Sequence, residues 1–154
     1  MTTPPPSRAA LWWSALGLAT TLVVALVTIL DATGDGLLAA HLRSAYPGYT
    51  GAQVATAVDL SASILVSVAV LGALVWTTTI ALIATRRRGA GVLALVALVL
   101  GVTVSLTVIL IRDTSGELGF ALPISSTLLL PCAAGAVVAP LLLRRRGRPA
   151  PSER

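Results

Sequence analysis

The sequence predicts an all-α fold: a four-helix transmembrane bundle with both termini cytoplasmic and a short outer-surface helix between spans 1 and 2. Three observations carry that expectation. Of 154 residues, 56% are hydrophobic and 11% charged, with a mean hydropathy of +0.92, whereas a soluble domain carries about 25% charged residues. Four uncharged apolar runs each exceed the ~20 residues that a helix needs to cross ~30 Å of hydrocarbon. The eleven basic residues are all arginine, and they gather at the ends of those runs.

Residues 1–8 form a proline-rich tail, which reads as disordered. The first span is residues 9–30. Its uncharged stretch is longer than the apolar core usual for a signal peptide, and no small-x-small cleavage pattern follows, so it is expected to be retained. Trp12 and Trp13 stand just after Arg8, where indole rings favour a membrane interface. The second span, residues 60–84, is the uncharged part of a longer helix. Thr50 and Gln53 have the spacing of a capping box, which starts that helix near Gly51. Asp59 then falls near headgroup level. The third span is residues 89–111, set off by the Arg86-Arg87-Arg88 block, and the fourth is residues 118–143. Residues 144–154 are a basic tail. The whole of 9–143 thus forms one membrane domain.

Orientation follows from the arginines. With four spans, both tails and the middle turn share a side. That side holds nine arginines and the other holds Arg43 and Arg112. The arginine-rich side should be cytoplasmic. Between the first two spans, Leu37, Leu38, His41, Leu42 and Ala45 share one helical face. Asp35 is placed to cap such a helix, which would lie on the outer surface or lid the bundle.

The composition excludes several chemistries. One cysteine, Cys132, cannot form an internal disulfide, and one histidine cannot complete a Cys/His zinc site. Arginines at the ends of runs do not form a nucleic-acid-binding face. There is no phosphate loop, dinucleotide motif or zinc-protease helix. No catalytic residue, cofactor site or metal ligand is therefore assigned. No Asp, Glu, His, Lys or Arg lies within an apolar core, although coupled transporters keep titrating groups there. The polar residues outside are Asp31, Asp35, His41, Asp59, Arg112, Asp113 and Glu117. They are candidates for an outer polar site of oxygen ligands, or are solvated helix ends.

Within the spans, Ala97, Gly101 and Ser105 recur every four residues, as do Ser63 and Ser67, and Ala69 and Ala73. Small residues at this spacing allow close helix packing. The fourth span contains Pro123, Pro131 and Pro140. Pro131 is the expected helix kink, freeing the Thr127 carbonyl, with Ser125, Ser126 and Thr127 available to satisfy opened backbone. Cys132 has no neighbouring cation in sequence and reads as an inert thiol.

Three segments, 41–47, 111–117 and 130–132, resemble stretches of small, uncharacterised four-span membrane proteins of actinobacteria, in the same order over roughly residues 30–143. The resemblance implies a four-helix membrane fold in a bacterial plasma membrane, and no activity. The leading expectation is a noncatalytic accessory or envelope membrane protein in contact with the lipid bilayer, with a membrane-protein partner or a second copy of itself. A small transporter or channel is the alternative. An outward-facing cation binder or enzyme is the third class.

Overall fold

The structure, a computed structural model, describes residues 8–85, 87, 89–111 and 122–144. It is all-α. In chain order the helices are α1 (Arg8–Ala32), α2 (Leu37–Ala45), α3 (Gly51–Ala84), α4 (Ala90–Leu110), α5 (Leu122–Ser125) and α6 (Leu129–Arg144), with a 3-10 turn at Ser126–Leu128 between the last two. Four segments are long and apolar enough to cross a membrane: α1, α3, α4 and Pro123–Arg144. The chain is therefore a polytopic membrane protein associated with a lipid bilayer.

The capping box starts α3 as expected. The Gln53 backbone N–H donates to Thr50 Oγ1 at 3.4 Å, and Gln53 Oε1 accepts from the Thr50 N–H at 2.9 Å. With 34 residues, α3 is about 51 Å long, some 20 Å more than the hydrocarbon. The inward face of the overhang is apolar at Val54 and Val58 and would be uncovered without α2. Leu38, Ala39 and Leu42 of α2 bury Val54 and Val58 of α3 in one cluster, so α2 lids this end. Its buried face differs from the one read by spacing. Leu37 is 52% exposed, and Ala39 takes its place in the core.

Asp35 does not cap α2. The cap comes from Asp31, whose carboxylate accepts from the N–H groups of Leu37 at 2.7 Å and Leu38 at 2.9 Å. Asp35 instead pairs with Arg43 at 2.7 Å on the surface. Gly36 is required by this arrangement, because a Cβ there would overlap the Asp31 carbonyl oxygen.

Side-chain size dictates how the long helices pair. The buried residues of α1 are Ala10, Ser14, Gly17, Thr21, Val24 and Thr28, a strict alternation of four and three. The buried side of α3 contains Leu65, Ala69, Thr79 and Ile83 in the same rhythm, with Gly72 and Trp76 filling the intervening steps. This is the seam of an antiparallel coiled-coil pair. Small residues face large ones along it. Ala10 clusters with Ile83, Gly17 lies under the Trp76 ring, and a Cβ on Gly72 would come 3.3 Å from Thr21. On the far side, α6 packs on both α1 and α4. A Cβ on Gly101 of α4 would meet Cys132 at 3.3 Å, and one on Gly135 of α6 would meet Leu98 at 3.3 Å. Around the bundle the order is α3, α1, α6, α4.

Most span hydroxyls are satisfied by their own helix, donating to a carbonyl four residues back. Ser63 and Ser67 do so at 2.7 Å. Both are exposed and face away from the bundle rather than packing it. Among the described residues Ser14 stands apart, fully buried with no partner for its hydroxyl. The register sets it opposite Thr79, whose own hydroxyl donates to Val75 at 2.8 Å. An unsatisfied buried hydroxyl is destabilising. Ser14→Ala is expected to raise stability in detergent-micelle unfolding by about 1 kcal/mol; a loss of that size would mean the hydroxyl has a partner in the membrane.

The break in the fourth span lies at Ser126–Leu128, N-terminal to Pro131. Pro131 has no N–H to donate to the carbonyl of Thr127, the middle residue of that 3-10 turn. Thr127 Oγ1 donates to Ile124 at 2.6 Å and Ser126 Oγ to Pro123 at 3.3 Å. Pro140 sits inside α6. Residues 118–121 of the expected span lie outside the described residues.

Candidate functional site: an apolar cleft at mid-depth

Consecutive helices α3 and α4 are joined by a turn of a few residues and meet near it, yet they touch each other little along their length. Each is committed elsewhere, α3 to α1 and α4 to α6. The Trp76 side chain reaches over Gly17 of α1, and its ring comes 3.9 Å from a Cβ built on Gly135 of α6. A cleft of about 340 Å³ remains between α3 and α4. Val68, Leu71, Val75 and Trp76 line one wall; Ala97, Leu100, Gly101 and Val104 line the other; Cys132 and Gly135 of α6 stand at the back.

The cleft runs from residue 68 to 79 on α3 and from 94 to 105 on α4. At 1.5 Å per residue, these limits lie about 6 to 24 Å from the helix ends at the turn. Its centre is then about 15 Å deep, half the hydrocarbon thickness.

Five polar side chains line it: the Trp76 indole, which carries one N–H donor, and four hydroxyl or thiol groups that are hydrogen-bonded to protein carbonyls. Thr21 Oγ1 donates to the Gly17 carbonyl at 2.7 Å and Thr79 Oγ1 to Val75 at 2.8 Å. Ser105 Oγ crosses from α4 to the Leu128 carbonyl at 3.2 Å. The Cys132 thiol reaches the same carbonyl at 3.6 Å and lies 3.8 Å from Ser105 Oγ. The broken start of the fourth span is thus stitched by a hydroxyl from a neighbouring helix. Among the described residues, no carboxylate, imidazole or guanidinium lines the cleft. Its chemistry is that of hydrocarbon.

An apolar cavity of about 150 Å³ in a protein already stays dry. This one is open on the side where Leu71 and Leu100 are exposed, so the surrounding hydrocarbon has access to it.

The residues singled out in the sequence as an outer polar site are only partly assembled. Asp35, Arg43 and Asp59 border a shallow pocket of about 180 Å³ with Thr33 and Gly51. The Asp35–Arg43 pair is exposed, with side-chain accessibilities of 82% and 54%, and such pairs contribute little. Both Asp31 oxygens are taken by the start of α2. His41 is half-buried on α2. Arg112, Asp113 and Glu117 lie outside the described residues. Among the described residues no group of three or more His, Cys, Asp or Glu side chains is placed to hold a metal ion.

Gly17, Gly72, Trp76 and Gly135 shape the cleft and were not singled out by motif reading. Their signal was present as the four-three alternation of small residues in α1 against the matching alternation in α3. Of the stripe Ala97, Gly101, Ser105, the last two pack on α6, while Ala97 is half-buried at the cleft wall.

Fold and cleft together define a small four-span membrane protein with a lipid-like interior site. No protein-family model, no curated protein and no solved structure matches the chain.

Proposed function

We propose that the chain is a noncatalytic integral membrane protein, an accessory or envelope component of a bacterial plasma membrane, that works through its α3/α4 cleft by holding an apolar partner. The observation that carries this reading is the cleft itself: 340 Å³, at mid-depth, with no ionisable wall residue among the described residues other than a hydrogen-bonded thiol. A coupled transporter needs a titrating or ion-liganding group on its path. A cavity at this depth has the place of a carrier site but the lining of the lipid around it. Reconstituted vesicles carrying an imposed proton or potassium gradient are expected to lose it no faster than protein-free vesicles. Faster dissipation would sink the reading in favour of a transporter or channel.

Both termini are assigned to the cytoplasm from the nine arginines on that side. This puts α2 outside and the α3–α4 turn inside. In a Cys132→Ser background, a membrane-impermeant maleimide is expected to label Ser44→Cys in intact cells. Arg87→Cys should react only after permeabilisation. Both positions are exposed, so the reverse pattern would invert the topology.

A further inference from the structure

We infer that the occupant of the α3/α4 cleft is the terminal part of a lipid acyl chain, drawn in sideways from the bilayer. The inference rests on the reading above and names the partner of that site. Composition decides first. The walls are built from apolar side chains such as Val68, Val75, Ala97 and Val104, which a polymethylene chain matches.

Continuity decides next. Leu71 and Leu100 belong at once to the cleft walls and to the lipid-facing surface, with exposures of 64% and 60%. The cleft is an inward extension of a surface that already meets hydrocarbon. Packed apolar clusters stand at both ends of the bundle, one containing Leu65 and Val108 and the other Ile83 and Ala90. The open route is sideways, between α3 and α4.

Depth and polarity then select the part of the lipid. The cleft is centred about 15 Å below the helix ends, where chain termini rather than headgroups lie. The hydroxyls and thiol on its walls donate to protein carbonyls, which leaves the single Trp76 indole N–H as the polar group of a wall that is otherwise apolar. Occupancy should follow the chain and ignore the headgroup.

The test uses the full chain carrying Trp12→Phe and Trp13→Phe, which leaves Trp76 as the only indole of the three. It is reconstituted in phosphatidylcholine vesicles with bromine placed either near the chain methyl or near the glycerol. Methyl-end bromine is expected to quench Trp76 the more strongly. Ala97→Phe, which fills the cleft from α4, should abolish that difference. Val99→Phe, on the exposed face of the same helix, should leave it intact. Val104→Phe, at the cleft mouth, serves as the second filling variant if Ala97→Phe does not fold. Equal quenching in the filled and control variants overturns the proposal. Crosslinked dimers abolished by Ala97→Phe would overturn it too, by giving the cleft to a second copy. Gradient dissipation, which tests the broader reading, is measured separately and does not depend on quenching.

Discussion

Gly17→Val is expected to destabilise the bundle by about 3 kcal/mol, at the upper end of what overpacking a well-filled interface costs. A Cβ at Gly17 would overlap three atoms of the Trp76 ring, and neither helix can retreat. On one side α1 is held by the rest of the α3 seam, and on the other by α6. Valine is at least as good a helix former as glycine, so the loss comes from the ring. Trp76→Leu should cost roughly 2 kcal/mol alone by leaving a gap. Combined with Gly17→Val it should cost clearly less than the two losses together, since the smaller side chain makes room. Steric trapping or mixed-micelle unfolding measures all three variants. Strict additivity in that double-mutant cycle would show that Gly17 and Trp76 do not meet.

Asp31→Ala is expected to loosen the lid, with a loss of about 2 kcal/mol at the α2 start. Two charge-assisted hydrogen bonds disappear together. Asp31 stands in the last turn of α1, where a carboxylate opposes that helix's dipole. Its position makes sense only through the N-terminus of α2, whose free N–H groups it neutralises. Hydrogen exchange at Leu37 and Leu38 should quicken sharply, and Asp31→Asn, which keeps one acceptor oxygen, should recover part of the protection. With α2 undocked, Val54 and Val58 lose their cover. Unchanged exchange in Asp31→Ala would assign the cap to another group.

Residues differ in how far the sequence alone places them. The capping box of Thr50 and Gln53 is a contact between neighbours in the chain, and its spacing was sufficient to locate the start of α3. The cap on α2 is not local in this sense. Asp35 is the nearer acid, but Asp31, six residues before Leu37, holds the helix because the chain turns at 33–35 and brings Gly36 back against Asp31. Proline chemistry points to the Thr127 carbonyl, four residues before Pro131, and the 3-10 turn at Ser126–Leu128 contains that residue; the donor that Ser105 of another helix gives to Leu128 was not legible in the sequence. Of the outer acids, the fold gathers Asp35 and Asp59 about one small pocket and gives Asp31 to α2.

The sequence by itself determined that four segments span a membrane and roughly where they begin. That property depends only on the transfer of each segment into hydrocarbon, summed along the chain, and needs no knowledge of neighbours. The tertiary structure alone decided which helices touch. Lipid tails are as apolar as leucine, so helix pairing within the bilayer follows the fit of side-chain volumes across an interface. Gly17 beneath Trp76 and Gly101 against Cys132 hold α3 to α1 and α4 to α6. The gap left between α3 and α4 is the consequence of those two pairings, a property of shape that the hydropathy of neither helix contains.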